Sequence, residues 1–202
     1  MEVASIVLAG GKGLRLGRRK ALEVVGDKRL LERVVERLRL VGGHILVVTS
    51  REQFDLLSDF DHDGVLVDIY PDMGPLSGIY TGLMASPCQR NIVVACDMPF
   101  LNVTLLRYLV ELCQGFDAVV PSLSPGTLEP LHAVYTKDCA EGIKTQLESG
   151  NPKVNAFLKG VRVRYVDRTE CLRLDPQLLS FFNINSLADL EQANKLAAEL
   201  GI

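Results

Sequence analysis

Short apolar runs rich in β-branched residues alternate along this chain with stretches of helical periodicity, and that alternation leaves few folds open. The runs occupy residues 3–8, 44–49, 64–69, 91–96 and 117–121. Between them, Leu30, Leu31, Val34, Val35 and Leu38 form a stripe at helical spacing from a start near Arg29. Residues 52–60, 75–85 and 103–113 read as further helices, the second opened by Pro75 at a favourable first-turn position. Strands apolar on both faces that alternate with helices build a mostly parallel sheet covered on both sides. The expected fold is therefore α/β, with three layers. Ligands of such sheets sit beyond the carboxyl ends of the strands, so the residues that follow each run are the ones to inspect.

The pattern changes after Leu128. Residues 129–135 read as a strand, 138–148 as a helix, 153–158 as a shorter helical piece and 161–167 as another strand. Residues 181–185 lead into a final helix whose start, Ser186-x-x-Asp189, has capping-box form. Leu187, Leu190, Ala193, Ala197 and Leu200 form its expected buried stripe. With 202 residues and no repeat, linker or low-complexity segment, a single domain over residues 1–202 is expected. No apolar run approaches the ~18 residues of a membrane span, and Met-Glu-Val-Ala-Ser lacks the features of a signal peptide. A cytoplasmic location follows. The five cysteines are odd in number and widely spaced, which speaks for reduced, buried thiols rather than a disulfide or zinc framework.

The first apolar run ends in Gly10-Gly11-Lys12-Gly13-Leu14-Arg15-Leu16-Gly17-Arg18-Arg19-Lys20. Glycines let a backbone turn sharply and bring bare N–H groups near a ligand, and successive N–H groups make an anion-binding concavity. Five basic side chains in the same loop make that anion a polyphosphate. The loop lacks the hydroxyl of a Walker-type motif, and its G-x-G-x-x-x-G spacing is not the dinucleotide fingerprint. Residues 21–27 read instead as a short strand and turn. Residues 12–39 carry a local charge of +6 within a chain of −3, a concentration able to focus field onto an anion. Global acidity without interleaved aromatics speaks against a nucleic-acid partner.

Asp97 follows the buried run 91–96 and is the sharpest single position, since a hard carboxylate at a strand end suits Mg²⁺ beside phosphate oxygens. Asp68 follows the third run, where it serves either a base or ribose or the local turn. Asp72 and Gly74 read as turn residues, and Gly78 as a place where a helix backbone approaches closely. Asn183 and Asn185 alternate on an extended segment and so share a side. His44 and His132 read as structural.

Taken in order, Leu8-Ala9-Gly10-Gly11-Lys12-Gly13-x-Arg15-x-Gly17, Lys20, Gly74-Pro75-Leu76-Ser77-Gly78, Cys96-Asp97-Met98-Pro99, Glu129-Pro130-Leu131 and Asn183-Ile184-Asn185 resemble the molybdenum cofactor guanylyltransferases. The resemblance runs from residue 3 to about 195. It implies a Rossmann-like, nucleotide-diphospho-sugar transferase-like fold, with a nucleotide-binding half over about 1–115 and an acceptor-binding half over about 116–202. It also implies that Leu8, Ala9 and Gly10 contact GTP through backbone groups, together with Gly11, Lys12, Lys20 and Asp68. Asp97 would bind both GTP and Mg²⁺. Arg15, Lys20 and Asp97 would be catalytic, while Gly78, Asn183 and Asn185 would lie on the acceptor side. The implied reaction moves GMP from GTP to the terminal phosphate of molybdopterin and releases pyrophosphate, within reach of other molybdenum cofactor biosynthesis proteins. Three rivals stand beside it. One is a cytidylyl- or sugar-1-phosphate nucleotidyltransferase, another a non-catalytic nucleotide-sensing module, and a Rossmann oxidoreductase is undercut by the loop spacing.

Overall fold

The computed structural model describes residues 2–10, 20–57 and 59–202. Among the described residues, ten strands form: β1 (Val3–Leu8), β2 (Val24–Val25), β3 (Lys28–Arg29), β4 (His44–Thr49), β5 (Gly64–Val67), β6 (Arg90–Ala95), β7 (Ala118–Ser124), β8 (Thr127–Leu128), β9 (His132–Thr136) and β10 (Val163–Asp167). The helices are α1 (Leu30–Val41), α2 (Pro75–Ala85), α3 (Val103–Glu111), α4 (Cys139–Glu148), α5 (Val154–Leu158), α6 (Arg168–Leu174) and α7 (Leu187–Leu200). The main sheet has the order β10-β7-β9-β6-β1-β4-β5, with β8 paired to β7. β1 runs parallel to both β4 and β6, and β4–β5 and β7–β10 are also parallel pairs. Among the described residues, β9 is the long strand that is reversed, antiparallel to β6 and β7.

Side-chain alternation sorts the core into two layers. Val7, Val47 and Ile92 meet α1 and α3 through Leu31, Val34, Leu38, Leu105 and Leu109. Their neighbours Ile6, Val48 and Val93 face the other way, onto Leu76, Ile79 and Leu83 of α2 and Ile143 and Phe157 of α4 and α5. The three-layer expectation is met. α2 reaches the sheet closely because it carries glycine at two successive turns. A Cβ on Gly82 would lie 2.4–2.9 Å from the side chain of Ile6, and one on Gly78 would lie 3.0 Å from Leu8.

Caps set several helix starts. Ser186 Oγ accepts from Asp189 N at 3.2 Å while Asp189 Oδ2 accepts from Ser186 N at 2.8 Å, the reciprocal pair read from the sequence. Pro75 opens α2 as expected. Other expectations fail for local reasons. Residues 52–60 hold only a six-residue 3-10 turn, Arg51–Leu56, with no buried side chain and thus no face to hold a longer helix. α6 went unread; it is set by a capping box of Asp167 and Glu170. In α7 only Ala193 and Ala197 are buried, whereas Leu187 and Leu200 are 56% and 47% exposed, so the stripe is narrower than the sequence implies.

Candidate active site at the switch point of the sheet

From β1 the chain proceeds outward through β4 and β5 in one direction, then returns to lay β6 on the other side of β1. The carboxyl ends of β1 and β6 therefore flank a topological switch point, the place where open α/β sheets bind their ligands. Cys96 N donates to Leu8 O at 3.1 Å and Ala9 N donates to Val48 O at 2.8 Å, so Leu8 and Ala9 are held by the flanking strands. Gly10 is exposed, and an added Cβ would lie 3.1 Å from the backbone of Thr49 and Ser50. Even alanine is crowded there.

Asp97 projects from the end of β6 into the same region. Lys20 Nζ donates to Asp97 Oδ2 at 2.9 Å and to Asn185 Oδ1 at 2.8 Å, which joins three distant stretches of chain through one ammonium. Side chains of Lys20 and Asp97 are 22% and 16% exposed, so this ion pair is partly desolvated and stronger than a surface pair. Asp97 Oδ1 is buried and, among the described residues, has no hydrogen-bond partner. An orphaned carboxylate oxygen is costly unless another group completes it. It fits one corner of a Mg²⁺ shell, which takes few protein carboxylates and keeps phosphate oxygens and water.

The backbone beneath this cluster is tied as well. Ile184 N donates to Asp97 O at 3.1 Å. Ile184 is fully buried with Val25, Leu30, Phe100, Ala193 and Ala197 in a third, small core. That core clamps the β2–β3 hairpin that follows Lys20 against the helix that follows Asn185, and Gly26 N donates to Asn194 Oδ1 at 2.9 Å across the same seam. The expected short strand and turn over 21–27 is this hairpin, turned at Gly26 with φ of 64°. Asn183 is half-buried and Asn185 exposed on either side of Ile184, and Asn183 Nδ2 donates to Phe181 O at 3.1 Å.

Asp68 stands on the opposite flank of β1. Its carboxylate accepts from Ser77 Oγ at 2.6 Å, Thr81 Oγ1 at 3.1 Å and Tyr70 N at 3.2 Å, which anchors the end of β5 to α2. Ser77 and Thr81 were missed by sequence reasoning, though their i,i+4 spacing on a helix beside an acidic strand end was a usable signal. Gly78 is buried, and a Cβ there would lie 3.0 Å from the side chain of Leu8, so the helix backbone does approach closely at this point. Gly11, Lys12 and Arg15 lie outside the described residues.

His132 and the cysteines are structural, as read. His132 is fully buried against Phe181 at a ring-centroid distance of 4.7 Å, and burial lowers its pKa to about 4. Burial pushes Cys96 up to about 12, and all five cysteines are buried free thiols.

Comparison with known proteins agrees with this geometry. Residues 5–167 match the family model described as MobA-like NTP transferase domain. A protein of Pelotomaculum thermopropionicum named probable molybdenum cofactor guanylyltransferase is 35% identical over 98% of this chain and 94% of its own. One of the same name from Methanosarcina mazei is 39% identical over 93% of this chain and 88% of its own. Among solved structures, molybdopterin-guanine dinucleotide biosynthesis protein A of Archaeoglobus fulgidus superposes with a TM-score of 0.85 at 28% identity, covering 97% of this chain and 99% of that one. The 2-C-methyl-D-erythritol 4-phosphate cytidylyltransferase of Thermus thermophilus shares the fold, with a TM-score of 0.70 at 19% identity over 98% of this chain and all of that one. With its strand-end carboxylate and its lysine brought together at the switch point, the chain belongs to the MobA-like NTP transferase family.

Proposed function

We propose that this protein transfers the guanylyl group of GTP to the terminal phosphate of molybdopterin and releases pyrophosphate. The observation that carries the reading is the meeting of Lys20, Asp97 and Asn185 at the switch point. Names of the relatives support the substrate pair. An oxygen of the acceptor phosphate attacks the α-phosphorus, the bond to the β-phosphate oxygen breaks, and pyrophosphate departs with the electron pair. The acceptor is already ionised near neutral pH, so no general base is required. Catalysis is positioning and neutralisation of charge between two anions. Lys20 supplies a positive charge at the α-phosphate, and Asn185 fixes the ammonium. Asp97, through its orphaned Oδ1, is the group that would hold Mg²⁺, which supplies charge neutralisation on phosphate oxygens when bound. Lys12 and Arg15 are assigned to the leaving pyrophosphate, Asp68 and Gly10 to the nucleotide, and Asn183 to the acceptor side. Among the described residues no helix is long and apolar enough to cross a membrane, and the reaction is assigned to the cytoplasm.

Gly10 favours the guanylyl reading over a cytidylyl one, whose representatives tend to carry alanine at its place, because the backbone of Thr49 and Ser50 crowds that position. The test is pyrophosphate release with GTP, CTP and UTP in turn, with and without molybdopterin and Mg²⁺. Release that needs GTP and molybdopterin together is expected. Release with CTP alone of the three, or nucleotide binding without release for any acceptor, would overturn the reading in favour of one or other rival. Thermal unfolding gives a parallel readout, since ligand at 100 times Kd adds about 2.7 kcal/mol.

A further inference from the structure

One acidic side chain at the carboxyl edge of the sheet has no part in the chemistry above. Glu129 sits in the tight turn between β8 and β9. Its amide donates to Pro121 O at 2.9 Å and its carbonyl accepts from His132 N at 3.1 Å. Tyr135, fully buried, donates its hydroxyl to Pro130 O at 2.9 Å. Leu131 O accepts from Ala95 N at 3.1 Å. The turn is thus pinned from three sides beside the end of β6, just before Asp97 and on the flank of β6 away from β1. Its position is set by backbone.

The Glu129 side chain is half-buried, and among the described residues it has no hydrogen bond or ion pair. Its neighbours along this edge differ. Asp68 takes three donors and Asp97 takes Lys20. For Glu129 desolvation acts alone, and it pushes the carboxyl above the usual glutamate range. A half-desolvated carboxylate without donors is an acceptor that a ligand can complete. Phosphate does not suit it, because like charges repel. An uncharged ring edge with two parallel N–H donors does, since a carboxylate has two oxygens to receive them.

We propose that Glu129 is a specificity-determining residue whose carboxylate receives the paired N–H donors of a 2-amino-4-oxopyrimidine ring, the edge common to a pterin and to guanine. The proposal takes its two ligands from the guanylyl-transfer reading, and its chemistry from Glu129 itself. The flank on which the turn lies, on the far side of β6 from the Leu8–Gly10 loop, makes the pterin of the acceptor the favoured source.

Binding measurements test this without turnover. Pterin and lumazine, its 2-oxo analogue, are titrated by fluorescence against wild type and Glu129→Gln; GTP and ITP, which lacks the 2-amino group, are compared by thermal shift. In wild type, pterin is expected to bind at least tenfold more tightly than lumazine, and the Gln variant is expected to lose that preference while its GTP-to-ITP ratio holds. Loss of the GTP-to-ITP preference instead assigns the same chemistry to guanine. A folded Gln variant that keeps both preferences, or a wild type that has neither, overturns the proposal. Pterin binding that depends on Glu129 in a protein that releases no pyrophosphate sinks the guanylyl-transfer reading and leaves Glu129 standing.

Discussion

Lys20 and Asp97 act as one unit, and their variants should show it. Removing either charge leaves the other partly buried without its partner, a larger loss than the pair's own net worth. Lys20→Met and Asp97→Asn are each expected to lower kcat for pyrophosphate release by roughly two orders of magnitude, the cost of one lost electrostatic stabiliser. The double variant should do little worse than either single one, because residues that act together are non-additive. Additive losses would show that the two work apart. His132 gives a pH dependence at the same scale. The imidazole is neutral inside the fold down to pH of about 4, whereas in the unfolded chain it takes a proton near 6.5. Because the folded value is depressed, stability is full above pH 6.5 and falls as pH drops toward 4, by about 3 kcal/mol for a shift of this size. Urea melts at pH 7 and pH 5 should show about 2 kcal/mol of that loss in wild type and less in His132→Phe. Equal losses would remove His132 from the account.

At the scale of elements, α2 is the helix most sensitive to a single methyl group. Gly82→Ala forces a Cβ into the side chain of Ile6, which is fully buried and has nowhere to retreat. Overpacking of this kind costs about 1–3 kcal/mol, and denaturant melts should place the loss in that range. Gly78→Ala should cost less, since Leu8 is only half-buried and its contact is looser at 3.0 Å. Element existence was readable wherever a motif has local causes. Pro75, the Ser186–Asp189 box and the Gly26 turn each act within a few residues, and each is found in place. Strand direction was not readable. The run at β9 looks the same whichever way it points, and its reversal is imposed by the turn through Glu129 and by pairing with β6 and β7. The pairing of Asp68 with Ser77 and Thr81 was hidden for the same reason, because it depends on where α2 crosses the sheet.

For the whole molecule, the order of strands does what no single residue can. Placing β6 beside β1 brings the segment that carries Asp97 next to Leu8, although the two are far apart in the chain. The sequence pointed to Asp97 by its place after an apolar run, to Lys20 by the basic loop and the family resemblance, and to Asn185 by its alternation with Asn183 and the same resemblance. Their mutual contacts needed the third core, whose members Val25, Leu30, Phe100 and Ile184 are unremarkable in sequence because each belongs to a different segment. That core is small and separate from the two layers that hold the sheet, and α7 buries only Ala193 and Ala197. The terminal helix is therefore free to lift away by local opening while the strands remain intact. Deuterium uptake followed by mass spectrometry should find the amides of α7 labelled well before those of β6, and equal protection in both would refute the idea. Each such excursion would withdraw Asn185, which lies just before α7, from Lys20, so the ammonium would lose one of its two tethers while the sheet stays folded.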